Sequence, residues 1–207
     1  MKLKCLIPLR YAVAAFAATI LVAAPTYAAP STFPGTGTGN IPDGSFSCSG
    51  AGAPLVISFD VNGMGAPLTD LRVAMNFFPQ HAFAGDVTAV LKAPGGSPTA
   101  TLFGRIGAAG GYVNGSGRRL SGNYTFVDPA ISSANIWAAE AAVVAPAGVI
   151  PGGTYATTVS GPVATSPAPT TPLLSVFTSL SGAQVNGTWT LELTDRCASD
   201  QGGISVA

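Results

Sequence analysis

Apolar residues recur at every second position in short blocks along this chain, and glycine, proline and asparagine separate the blocks. In LVISFDV (55–61), Leu55, Ile57, Phe59 and Val61 share one side, and Ser58 and Asp60 take the other. A period of two is the mark of a strand with one buried face. DLRVAMN (70–76) repeats it, with Leu71, Val73 and Met75 set against Arg72 and Asn76. So does DVTAVLK (86–92), with Val87, Ala89 and Leu91 against Thr88 and Lys92. ATLFG (100–104) and LSGNYTFVD (120–128) are read as further strands. The clearest block is NGTWTLELTD (186–195): Trp189, Leu191 and Leu193 alternate with threonines and Glu192 behind an Asn-Gly turn. One segment, 131–146, is a candidate helix, and its Val-Val end counts against it. Residues 158–172, rich in proline, read as a surface loop. Short one-sided strands between Gly/Pro turns predict an all-β fold, an antiparallel β-sandwich.

Residues 1–28 follow another pattern. Lys2, Lys4 and Arg10 precede the apolar run YAVAAFAATILVAA (11–24), and Thr26 and Ala28 then stand where a cleavage site needs small residues. This is the layout of a secretory signal peptide cut after Ala28. The run is short for a membrane span. The expectation is an exported protein, extracellular, periplasmic or at the cell surface, with no membrane attachment after cleavage. Residues 29–40 then read as a flexible leader, and 41–207 as one domain opening on the turn IPDG (41–44).

Composition changes this picture in two ways. The signal segment holds three of the nine Lys+Arg and none of the nine Asp+Glu, so the remainder is net negative. Arg118 and Arg119 make no basic patch, and nucleic-acid binding is disfavoured. Cys5 falls in the signal segment, leaving Cys48 and Cys197 for the exported chain. Two cysteines in an oxidising compartment predict one disulfide, closing a very long loop.

The chemistry-bearing stretch is PQHAFAGDVTAVLKAPGG (79–96), with His81, the one histidine of the chain, and Asp86. A hydrolytic triad needs a nucleophile, a histidine base and an orienting carboxylate. A lone histidine with no Gly-x-Ser-x-Gly elbow does not supply one, and with two distant cysteines it makes no zinc set. The structural expectation is a turn, with Asp86 accepting backbone N–H groups and His81 donating to a carbonyl. Sequons at Asn114, Asn123 and Asn186 arise readily in a Ser/Thr-rich chain. Tyr124, Phe126, Trp137 and Trp189 are candidates for a sugar-binding surface, with core packing the competing role for Trp189.

Taken in order, IPDG, LTDLRVAMNFF, HAFAGDVTAVLKAPGG, GGTY, PLLSVF and NGTWTLELTD followed by SDQGG resemble the P domain (homo B domain) of subtilisin-like proprotein convertases. The likeness runs over residues 41–207. It implies a jelly-roll β-sandwich of the galactose-binding-like kind, in which His81 and Asp86 belong to the domain and not to a catalytic centre. The chain ends at GGISVA where the pattern continues, so the resemblance implies a last strand cut short and an unpaired edge. Some P domains carry calcium. Hard cations want several oxygen ligands, and Asp86, Asp195 and Asp200 are the candidate metal set, with an Asp195–Arg196 ion pair as the competing arrangement. The function implied is a non-catalytic secreted module that binds or stabilises a protein partner, with a secreted serine protease as candidate. The alternatives are a fragment or accessory subunit of a subtilisin-like serine endopeptidase, and a carbohydrate-binding or adhesion module.

Overall fold

The alternating blocks form strands whose apolar faces meet in a single core. The computed structural model describes residues 30–111 and 114–207, so the signal-peptide reading of residues 1–28 lies outside the described residues. The strands are β1 (Gly35–Thr36), β2 (Gly39–Asn40), β3 (Leu55–Val61), β4 (Arg72–His81), β5 (Thr88–Lys92), β6 (Thr99–Gly104), β7 (Arg119–Val127), β8 (Val149–Ile150), β9 (Gly153–Ala156), β10 (Gly187–Thr194) and β11 (Gly203–Val206). One sheet runs β1-β3-β10-β5-β6 and is antiparallel throughout. The other runs β2-β11-β4-β7, with β8 and β9 both lying parallel to β7. The chain is an all-β sandwich.

Register turns the sequence alternation into rows across the sheets. Ile57, Leu191, Leu91 and Ala100 stand directly opposite one another on β3, β10, β5 and β6, and all four are buried. Burying one such leucine stabilises the fold by roughly 1.5–3 kcal/mol. From the second sheet come Val73 opposite Phe126 and Met75 opposite Tyr124. Aromatic rings join the two layers: Phe103 of β6 stacks on Phe126 of β7 with centroids 4.9 Å apart, and Phe77 of β4 meets Phe103 edge-on. Tyr124, Phe126, Trp137 and Trp189 are all core residues, none more than 4% exposed, so none of them offers an open sugar platform.

Three expectations need correction. The stretch read as a flexible leader supplies β1 and β2, which pair with β3 and β11. A run of glycine and threonine can lie flat against a strand edge, and at Gly35 a Cβ would come within 2.6 Å of Ile57. The last strand is not an unpaired edge: β11 lies between β2 and β4, and Gly35 N–H bonds to the Ala207 carbonyl. Residues 158–172 are only partly a surface loop. Thr158 and Ala168 are buried, and the N–H groups of Thr158 and Gly161 bond to Leu102 and Gly104, covering the outer edge of β6.

Among the described residues there are three α-helices, α1 (Ile136–Ala141), α2 (Leu174–Phe177) and α3 (Gly182–Val185), and a short 3-10 helix at Pro94–Gly96. The expected helix within 131–146 is thus confined to α1, started by the Asn135 side chain accepting from Trp137 N–H. Ser181 and Gln184 form a capping box on α3, which sets Val185 to accept the indole N–H of Trp189 at 2.8 Å.

Candidate functional site

The end of β4, the turn before β5, the residues just after β10 and the loop before β11 meet at one end of the sandwich. His81 closes β4 and is fully buried. Its Nε2 lies 3.0 Å from Asp195 Oδ2, and its Nδ1 accepts the Phe83 N–H at 3.3 Å. With Nδ1 accepting, Nε2 carries the proton and donates to Asp195. Both ring nitrogens are therefore engaged inside the fold. The expected donation to a carbonyl is replaced by donation to a carboxylate.

Asp195 continues the inward register of Trp189, Leu191 and Leu193 past the end of β10, and it too is fully buried. Its other oxygen accepts Cys197 N–H at 3.0 Å. The partner of the Asp195 carboxylate is His81 and not Arg196 one residue on, so the Asp195–Arg196 ion pair considered from sequence gives way to the buried His81–Asp195 pair. The signal for this partner was in the sequence: the odd-numbered positions of 189–195 face the core.

Asp86 is 2% exposed. Its backbone carbonyl accepts Arg196 N–H, but its side chain does not cap the turn through N–H groups as expected. Oδ1 lies 3.0 Å from the Cys197 sulfur, and Oδ2 has no hydrogen-bond partner among the described residues. Cys197 is bonded to Cys48, as predicted. A half-cystine sulfur has no hydrogen to give, so this contact is favourable when the carboxyl carries the proton. The electrostatics agree. Burial, then the charges of Asp195 and Asp200, push the Asp86 carboxyl up to about 6, against the pull of His81 and Arg105. Asp200 is also raised, by burial first and then by Asp195 and Asp43, with His81 opposing. Asp86, Asp200, Asn114, Phe83 and both half-cystines line a shallow pocket of about 220 Å³. Arg105, next to β6, was not singled out from sequence, although its charge reaches Asp86.

The three candidate metal ligands come close together, and most of their side-chain oxygens are engaged within the fold. Both oxygens of Asp195 are taken by His81 and the Cys197 N–H, and Asp86 Oδ1 faces sulfur. Asp86 Oδ2 and the Asp200 carboxylate are what remains of the set. Among the described residues no group of three or more His, Cys, Asp or Glu is placed to hold a metal ion. The arrangement suits a proton at Asp86. Comparison with protein-family models, with curated proteins and with solved structures gave no match to this chain.

Proposed function

We propose that the folded chain is a non-catalytic module of an exported protein, a P-domain-like jelly roll that binds or stabilises a protein partner, with a secreted serine protease as the partner class. The observation that carries this reading is the state of His81. The single imidazole of the chain spends one nitrogen on Asp195 and the other on Phe83 N–H, at zero exposure. It has no nitrogen left to take a proton from a serine, the step on which triad hydrolysis turns. The motifs behind the P-domain resemblance also meet in space: His81 and Asp86 come from one, Asp195 from another, and they share one buried cluster. The Cys48–Cys197 bridge supports an oxidising compartment. Among the described residues no helix is long and apolar enough to cross a membrane.

The test has two arms. Exported protein incubated with a fluorophosphonate probe is expected to stay unlabelled, and the immobilised protein is expected to capture a serine protease from culture medium. Stoichiometric labelling lost on one Ser→Ala change overturns the non-catalytic reading. Retention on polysaccharide without protease capture replaces the protein partner by a carbohydrate.

A further inference from the structure

The contact between Asp86 and the disulfide has no part in the proposed function. Asp195, a few ångströms away in the same cluster, behaves as a structural carboxylate should, with one oxygen on a backbone N–H and the other on a ring N–H. Asp86 uses neither side-chain oxygen in that way. One sits 3.0 Å from the Cys197 sulfur and the other is buried without a partner. The bridge is also asymmetric. Cys197 is 8% exposed. Cys48 is half-buried and rides a loop whose neighbours Phe46, Ser47, Ser49 and Gly50 are all exposed. Its backbone is held at φ 52°, in the left-handed region that a β-carbon disfavours. Both sulfur-bearing residues and Asp86 line the same open pocket. An attacking group therefore meets Cys48 first, and the sulfur that must then leave is the one beside the carboxyl.

We propose that the Cys48–Cys197 bridge is a site of thiol–disulfide exchange with an external dithiol, opened by attack at Cys48 while Asp86 gives its proton to the departing Cys197 sulfur. A thiolate of the dithiol forms a bond to Cys48 Sγ, and the Cys48–Cys197 S–S bond breaks. The electron pair of the broken bond stays on Cys197 Sγ, which takes the proton from the Asp86 carboxyl and leaves it as carboxylate. The second thiolate of the dithiol then attacks its own sulfur in the mixed disulfide and releases Cys48. The dithiol is oxidised, the bridge is reduced, and water returns the proton to Asp86. A leaving thiol departs faster as its developing charge is relieved, and a placed general acid supplies that relief. The groups that set the proton on Asp86 come from every side: Asp195 after β10, Asp200 before β11, His81 on β4, and Arg105 after β6, with Arg196 beyond it. Reduction would free the loop around Cys48 from its covalent tie, while backbone bonds such as Gly52 N–H to Asp195 still hold its base.

The experiment uses the full exported chain and dithiothreitol, with rates followed by alkylation and intact mass and expressed per thiolate of reductant. For the wild type the rate per thiolate should fall as pH rises through about 6. Asp86→Asn, which fills the same space without a transferable proton, should be about tenfold slower at pH 5 and flat across the range. Because a variant could fold poorly, the wild type is also quenched in mid-reaction. The trapped mixed disulfide should sit on Cys48, with Cys197 as the free thiol. A mixed disulfide on Cys197, or the same rate and pH profile in Asp86→Asn, overturns the proposal. So does reduction of the wild type only at the rate of global unfolding.

Discussion

Asp195 and Asp86 stand in one buried cluster and differ in what faces their oxygens, and that difference sets what each contributes. Asp195 is paired with His81 at zero exposure for both side chains. With Nδ1 accepting, the His81 ring is neutral, and removing Asp195 leaves a buried ring N–H without its acceptor, which typically costs about 1–3 kcal/mol. Asp195→Ala should lose stability on that scale in urea melts, while Arg196→Ala, which breaks no pair with Asp195, should lose less. The reverse order would restore the Asp195–Arg196 ion pair. For Asp86 the sign runs against the common carboxylate. Its pKa rises on folding from 3.8 to about 6, so between those values the folded chain holds a proton that the unfolded chain has lost. Stability from this group is fully present below the unfolded value, falls as pH rises between the two, and is gone above the folded one. The loss by pH 7 is no more than about 3 kcal/mol, at 1.36 kcal/mol per pKa unit. Asp86→Asn should therefore raise the melting temperature at pH 7 and flatten its dependence between about pH 4 and 6. A wild-type curve that climbs with pH over that window would mean that Asp86 is ionised and paired in the fold.

At the scale of elements, the short strands at the two ends of the described chain close the sandwich. β1 lies on β3 with Gly35 opposite Phe59, and a side chain at Gly35 would meet Ile57, Phe59 and the Ala207 carbonyl within 3.1 Å. Gly39, in β2, has nothing within 4 Å of its Cβ position. Gly35→Val should then destabilise by about 1–3 kcal/mol through overpacking, and Gly39→Val should be close to neutral by the same urea melts. Equal effects at the two positions would mean that β1 is not packed as described. These elements also mark where sequence reasoning stops. β3 and β10 each carry three or more alternating apolar residues, as does β5 together with Val87 just before it, and their inward faces were legible for that reason. β1, β2 and β8 are two residues long, too short for any period to show. They exist because longer neighbours offer them an edge, which is tertiary information. The site divides along the same line. His81, Asp86 and the Cys48–Cys197 pair were legible as chemistry, but the contacts between them span more than a hundred residues. Register alone decides that His81 meets Asp195 and that Asp86 meets sulfur.

For the molecule as a whole, the disulfide ties the opening segment of the described chain covalently to the closing one. It joins residues 149 positions apart, so nearly the whole sandwich lies inside the loop it closes. Cross-linking so long a loop restricts the unfolded ensemble, and the usual gain is about 2–4 kcal/mol. The native side of the balance is less dependent on the bridge. Gly44 and Ser45 N–H groups bond to the carbonyls of Cys197 and Arg196, Ala198 N–H bonds to Ser45, and Gly52 N–H to Asp195. These backbone bonds hold the two segments together without sulfur. The double change Cys48→Ser, Cys197→Ser should therefore keep the native fold while the unfolded state gains freedom. The expected result is a loss of about 2–4 kcal/mol, seen as a melting temperature lower by on the order of 10 °C, with an unchanged near-ultraviolet circular dichroism spectrum below the transition. Because Asp86 then faces a serine hydroxyl in place of sulfur, the two-serine protein should keep a protonated Asp86 only if burial and the neighbouring carboxylates set its pKa. Those are the two largest influences on it, so the fall of stability with pH through about 6 should persist in the two-serine protein. Its disappearance, together with a loss of the native spectrum, would show that the sulfur bridge is what assembles the cluster of His81, Asp86 and Asp195.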